Sequence, residues 1–90
     1  MIGKEENTDN YYSIIDELYF IETFDKLKTE TNIEENKLKQ CLWELISNDY
    51  VKIMHNYDEE ISVAIEEFEE KFKIFHYIAS KKGLKWHNSL

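Results

Sequence analysis

The sequence predicts one α+β domain that is mainly helical and carries a small antiparallel β-hairpin. A chain of 90 residues suits a single domain with one core. Only two glycines and no proline are present, which argues against a loop-rich all-β fold, because tight turns use both residues. Apolar residues recur at helical spacing in most of the chain, whereas two short runs alternate as strands do. The polar residues 1–9 are expected to be flexible, and residues 10–90 are expected to form the domain.

The first part of the domain predicts either two helices or one longer helix. Asp9 or Asn10 is the expected N-cap. The apolar stripe that follows has helical spacing and consists of Tyr11, Ile14, Ile15, Leu18, Tyr19 and Ile21. Thr23 is a candidate cap for a second, shorter helix. The alternative is a single helix that continues to Lys28.

The segment TNIEENKLKQCLWELISNDYV, which begins at Thr31, predicts a third helix. It opens with overlapping capping boxes, in which Thr31 pairs with Glu34 or Asn32 with Glu35. Its apolar stripe is Leu38, Cys41, Leu42, Leu45 and Ile46. The run Ser47-Asn48-Asp49 is unfavourable inside a helix, so we expect the helix to stop there, with one of the last two residues in the left-handed conformation.

Two strands and a final helix are predicted in the second half of the chain. YVKIM and KIFHYIA are rich in β-branched and aromatic residues, which favours strands. Residues 58–70 lie between them and fit either a helix or an extended segment. Ser80 is the expected cap of a short last helix, KKGLKWHNS.

This order of elements resembles a winged helix-turn-helix, and two local motifs resemble its MarR-like members. LWELISNDYVKI is similar to the passage from the recognition helix into the first wing strand, with Asp49 where glycine is usual. YIASKKGL is similar to the end of the second wing strand, with Tyr77, Ser80 and Gly83 in matching places. The resemblance implies three N-terminal helices, a two-stranded antiparallel wing hairpin and a short C-terminal helix. It extends to small bacterial single-domain proteins built on this plan.

The resemblance also implies a DNA-binding transcriptional regulator. The residues expected at the major groove, where amides read adenine and lysine contacts phosphate, lie on the third helix: Asn36, Lys37, Lys39 and Gln40. The residues expected at flanking phosphates lie in the last helix: Lys81, Lys82 and Lys85.

The charge of the chain opposes this DNA interpretation. The formal net charge is −8, and every basic residue is lysine, so arginine, the usual reader of guanine, is absent. Residues 1–70 hold all 19 acids, whereas residues 71–90 hold five lysines and no acid. Seven acids lie in residues 58–70, and Glu34 and Glu35 open the third helix. Negative charge at these positions would repel phosphate.

An alternative interpretation is a winged-helix module that contacts protein and does not bind DNA. Aromatic residues make up 14% of the chain, more than one small core accommodates, and exposed aromatic side chains are typical of protein interfaces. The residues expected at such an interface are Tyr11, Tyr12, Trp43 and Trp86. A homodimer through the first and last helices is the form that the resemblance implies. The simplest interpretation of the charged surfaces is that they are ordinary solvated helix faces.

No catalytic, metal or cofactor motif is recognisable, so we expect a protein that is not an enzyme. The histidines and the single Cys41 lack the spacings typical of metal sites. Cys41 lies on the apolar stripe and is expected to be a buried small hydrophobe. The first ten residues lack the apolar stretch of a signal peptide, and no apolar run approaches the length of a membrane span. We therefore expect a cytoplasmic protein, and no small-molecule ligand is identifiable from the sequence.

Overall fold

The computed structural model describes residues 7–89, and within that range it contains five helices and a four-stranded antiparallel sheet. The helices are α1 (Thr8–Glu17), α2 (Phe24–Thr31), α3 (Glu35–Ser47), α4 (Ile65–Lys71) and α5 (Lys81–Asn88). The strands are β1 (Glu22–Thr23), β2 (Val51–His55), β3 (Glu59–Ile61) and β4 (His76–Ala79). The expected α+β class with mainly helical content is confirmed.

The sheet has the strand order β1-β4-β2-β3 and corrects the predicted two-stranded hairpin. The two strands expected from the sequence, β2 and β4, do pair antiparallel, with Val51 opposite Ala79 and Ile53 opposite Tyr77. A short strand is added on each side: β1 pairs with β4, and β3 pairs with β2. Because β1 lies between α1 and α2, the three N-terminal helices are interrupted by a strand.

The first two helices are separate, which rules out one continuous helix to Lys28. Helix α1 begins at Thr8, earlier than expected, and neither Asp9 nor Asn10 is its cap. Residues 8 and 9 therefore belong to α1, whereas residues 1–6 of the segment expected to be flexible lie outside the described part of the chain. Thr23 caps α2 as predicted, because its hydroxyl accepts from the Lys26 amide at 3.2 Å.

Helix α3 begins at a different cap from the two predicted capping boxes. The side chain of Glu34 accepts hydrogen bonds from the amides of Asn36 and Lys37. Thr31 belongs to α2 instead, and Asn32 ends that helix in the left-handed conformation with φ 56°. At its other end α3 stops at Ser47 as expected.

Residues 58–70 combine both predicted structures rather than adopting one. Strand β3 occupies the start of this segment and helix α4 the end, with an extended link between them. Asn56 in the β2–β3 turn has φ 63°, which lets a short turn return the chain beside β2. The connection between β2 and β4 is therefore a strand and a helix, not a simple loop.

The core lies between the helices and one face of the sheet. The apolar stripes predicted for the first three helices supply most of it, and their fully buried members are Ile14, Ile15, Leu18, Phe24, Leu27, Leu38, Cys41, Leu42 and Leu45. Tyr19 departs from its stripe and is exposed, whereas Ile21 and Ile46 are half-buried. From the second half of the chain, the buried core residues are Tyr50, Val51, Ile53, Phe68, Phe75, Tyr77 and Ala79.

Helix α5 packs closely against the start of β2. Ser80 caps it as predicted, accepting from the Gly83 amide at 3.0 Å, and its own amide donates to the Tyr50 carbonyl at 3.0 Å. A Cβ atom at Gly83 would overlap the Tyr50 carbonyl oxygen and would lie 3.3 Å from Cδ1 of Ile15. The glycine is therefore required by close backbone approach.

Replacing Gly83 with alanine should destabilise the fold by about 2–3 kcal/mol, because the helix must move off the β2 backbone. Urea denaturation monitored by circular dichroism measures this change. The control is Lys81→Ala in the same helix, whose exposed side chain should alter the free energy of unfolding by less than about 0.5 kcal/mol. Equal stability of the two variants would contradict the close contact.

Candidate functional site

The outer face of α3, which was expected to enter a DNA groove, is partly covered by α4. Two ion pairs join this region to α3: Lys39 Nζ lies 3.0 Å from Glu69 Oε2, and Lys73 Nζ lies 3.2 Å from Glu35 Oε1. Lys39 also sits 5.1 Å above the ring of Phe72. One of the two α3 lysines expected at DNA is thus already engaged within the protein.

Apolar packing under these ion pairs fixes α4 to the rest of the domain. The Phe68 ring lies 5.0 Å from the Trp43 ring and 6.5 Å from the Tyr77 ring. Phe68 is fully buried, so α4 is part of the core and not a loosely attached cover. On the same helix face as Lys39, Asn36 and Gln40 stay exposed, whereas Lys37 is half-buried.

The three lysines of α5 are exposed, and their contacts differ from those of the α3 residues. Lys82 Nζ donates to the carbonyl of Asn48 at 3.0 Å and lies 4.7 Å above the Tyr50 ring. It therefore satisfies a carbonyl just beyond the C-terminus of α3, where a cation is electrostatically favourable. Lys81 and Lys85 point to solvent.

A shallow groove of about 200 Å³ lies between the C-terminal half of α3 and the β2–β3 hairpin. Its apolar lining includes Trp43, Ile46 and Ile61. Lys52 and Glu60 border it and pair with each other at 3.5 Å. The border thus carries both signs of charge, and the groove does not select a ligand by charge.

The four residues expected at a protein interface occupy different environments. Tyr11 is only 1% exposed and its hydroxyl donates to Glu44, so the expectation that it lies on a surface is corrected. Trp43 is half-buried against Phe68, and Trp86 is half-buried. Tyr12 is 41% exposed and is the member of this set that a partner can reach readily.

Tyr12 belongs to a cluster around His87 that joins α1 to α5. The His87 side chain is buried, with Nδ1 2.8 Å from the Tyr19 hydroxyl and Nε2 3.2 Å from Asp16 Oδ1. The second contact is a close approach without hydrogen-bond alignment. Tyr12 stacks on the imidazole ring at 4.1 Å, and Tyr19 meets it edge-on at 5.3 Å.

Phe20 lies next to this cluster along the chain and is 76% exposed. It follows Tyr19 in the turn after α1, and this turn is held to β4 because the Ala79 amide donates to the Leu18 carbonyl at 2.9 Å. We call Tyr12, Asp16, Tyr19 and Phe20 the aromatic surface. The first three contact His87, and Phe20 joins them as the sequence neighbour of Tyr19.

Sequence reasoning missed Phe20 and treated His87 as an isolated histidine. A signal for the helical part was present, since Tyr12, Asp16 and Tyr19 are spaced by four and three residues along one side of the buried stripe. No local pattern indicated His87, because it reaches the cluster from the far end of the chain.

The remaining reactive side chains do not form a recognisable chemical site. Cys41 is buried, and burial raises the pKa of its thiol, as expected for a small core residue. Within residues 7–89, no group of three or more His, Cys, Asp or Glu side chains is arranged to hold a metal ion. In the same part of the chain, no helix is both long enough and apolar enough to cross a bilayer.

Compared with protein-family models, curated proteins and solved structures, the chain gives no match. Three surfaces can therefore indicate a function: the α3 face under α4, the α5 lysines and the aromatic surface.

Tyr11 provides a test of the α1–α3 contact through pH. Burial, and then the hydrogen bond donated to Glu44, raise the pKa of Tyr11 to about 12 from 10.0. The neutral phenol is favoured in the folded state, so its stabilisation is complete below pH 10 and is lost as the pH rises towards about 12. The Tyr11→Phe variant lacks this hydroxyl, so this part of the stability loss at alkaline pH should disappear.

The measurement is urea denaturation of both proteins from neutral to alkaline pH, with tyrosinate absorbance recorded in parallel. At neutral pH the variant should be less stable by about 1 kcal/mol, because the hydrogen bond to Glu44 is lost. Tyr57→Phe is the control, since the Tyr57 ring is 71% exposed and its replacement should leave the free energy of unfolding nearly unchanged. A Tyr11 transition centred at the ordinary tyrosine pKa would contradict the buried contact.

Phe68→Ala should lower the free energy of unfolding by about 3–5 kcal/mol, the usual effect of removing a buried phenylalanine. Glu69→Gln on the same helix removes only the ion pair with Lys39 and should cost less than about 1 kcal/mol. Chemical denaturation distinguishes the two. If Phe68→Ala were as mild as Glu69→Gln, α4 would be a detachable cover rather than a part of the core.

Proposed function

We propose that this chain is a non-enzymatic winged-helix module that binds a protein partner and does not bind DNA. The order α1, β1, α2, α3, β2, β4, α5 and the antiparallel pairing of β2 with β4 support the winged-helix part of the proposal. Under it, β2 and β4 are the wing strands, and β3 with α4 is an insertion at the tip. Because one fold serves many functions, the functional part depends on the surfaces.

The observation that carries the proposal is the position of α4 on the outer face of α3. A recognition helix needs a free face to enter the major groove. Here Lys39 and Trp43 contact α4, and Glu69 lies at the face itself. Entry of α3 would therefore require either displacement of a core helix or placement of carboxylates beside phosphate.

DNA binding through α5 is the second candidate function. It is favoured by Lys81 and Lys85, which are exposed and form no ion pair within residues 7–89. Lysine side chains there could contact phosphate without any base being read. This candidate predicts weak, salt-sensitive and sequence-independent affinity.

Fluorescence anisotropy of a labelled mixed-sequence duplex, titrated with the protein at low and moderate salt, separates the two candidates. The proposed function predicts no saturable binding even at low salt, where electrostatic attraction is strongest. Binding that weakens with salt would overturn it in favour of DNA.

The matched variants locate any binding that is observed. One reverses the charge of Lys81, Lys82 and Lys85 to glutamate, and the other does the same at the exposed Lys26, Lys28 and Lys71. Both change the net charge equally, so only the first abolishes binding if α5 is the contact. Circular dichroism of both variants confirms that they fold.

A further inference from the structure

The aromatic surface contains three of the six large apolar side chains that are exposed within residues 7–89. Tyr12, Tyr19 and Phe20 are 41%, 39% and 76% exposed. Tyrosine and phenylalanine are enriched at protein interfaces, where few such residues supply most of the binding energy. An inference about this surface rests on the proposed function, since it names the partner that the module would bind.

His87 holds the two tyrosines before any partner arrives. The stacked ring at 4.1 Å restrains Tyr12, and the contact from Nδ1 at 2.8 Å restrains the Tyr19 hydroxyl. Tyr19 also donates to the Asn88 side chain at 3.1 Å. Because these side chains are already ordered, binding loses less conformational entropy than it would at a mobile surface.

The charge beside these rings indicates the partner. Asp16 lies within the aromatic surface, with its side chain 56% exposed, and Asp9 is exposed on the same helix. Aromatic faces attract cations, and a guanidinium or ammonium group can stack on a ring while it pairs with a neighbouring carboxylate. The net charge of −8 favours a cationic partner over the whole surface.

The other acidic region is less suited to the same partner. In residues 58–70, three glutamates already pair with lysines: Glu60 with Lys52, Glu67 with Lys71 and Glu69 with Lys39. Their carboxylates are partly neutralised within the protein. Within residues 7–89, Asp16 instead pairs only with an imidazole, which carries charge only when protonated.

We propose that the aromatic surface binds a protein segment that presents arginine or lysine beside apolar residues. The cation would stack on Tyr12 or Tyr19 and pair with Asp16, and an apolar side chain would cover Phe20. His87 is a positioning residue in this interaction.

The test uses the full chain labelled with ¹⁵N and a short peptide of alternating arginine and leucine as the probe. Amide shifts should change at residues 12–20 and 87–88, and not at residues 58–70. A peptide with glutamate in place of arginine should not bind. Anisotropy of the dye-labelled peptide then gives Kd for each variant.

Two matched pairs of variants separate specific contact from general attraction. Phe20→Ser should raise Kd for the peptide about tenfold. Tyr57→Ser, which removes a ring that is 71% exposed elsewhere, should leave Kd unchanged. Asp16→Asn should weaken it about threefold, whereas Glu70→Gln, with the same change in net charge, should not. His87→Gln keeps hydrogen-bonding capacity but loses the stacked ring, and should weaken the peptide less than Phe20→Ser.

The outcomes distinguish this inference from the proposed function. Shift changes confined to residues 58–70, equal effects of Asp16→Asn and Glu70→Gln, or no peptide binding at low salt would each overturn the inference and leave a protein-binding module with another contact surface. Salt-sensitive binding of the DNA duplex would overturn the proposed function itself. Self-association by light scattering that Phe20→Ser abolishes would replace the cationic segment with a second copy of this chain.

Discussion

The burial of Phe68 is the contact on which the architecture of the second half of the chain depends. Its ring packs against Trp43 from α3 and Tyr77 from β4. One side chain therefore joins α4, in the segment between β2 and β4, to both the helical layer and the sheet. A buried aromatic ring contributes several kcal/mol, far more than the ion pairs at its edge. The acidic surface of α4 is therefore held over α3 by apolar packing, and the lysines around it reduce repulsion rather than drive the contact.

Three of the five lysines in residues 71–90 contact an acid or a carbonyl that lies earlier in the chain. The separation of charge along the sequence is partly offset in space, because some late lysines contact earlier acids and carbonyls: Lys71 pairs with Glu67, Lys73 with Glu35, and Lys82 contacts the Asn48 carbonyl. Each such pair is worth little alone at an exposed position. Together they lower the repulsion that a net charge of −13 over residues 1–70 would otherwise impose on a compact fold.

Features set by local physics could be predicted from the sequence, and features set by distant contacts could not. The buried stripes, the caps at Thr23 and Ser80 and the strands β2 and β4 follow from spacing and from hydroxyl groups beside free amides. Strands β1 and β3 are two and three residues long, so they exist only because a neighbouring strand pairs with them. The cluster around His87 joins residues 68 positions apart, which no local pattern encodes. Tyr11 and Tyr12 are neighbouring tyrosines on α1, and Tyr11 is buried because it lies on the face of the helix that packs into the core.

The contrast between Phe20 and Phe24 carries the functional argument furthest. Phe24 is fully buried, whereas Phe20, four residues earlier, is 76% exposed. Full burial of a phenylalanine side chain is worth about 1.5–3 kcal/mol, and the fold does not gain this at residue 20. A polar residue in that turn would be equally compatible with the backbone, because the turn is held by the Leu18 carbonyl and not by the ring. Covering this apolar area with another protein would recover that free energy, and this is the physical basis of the proposed interface.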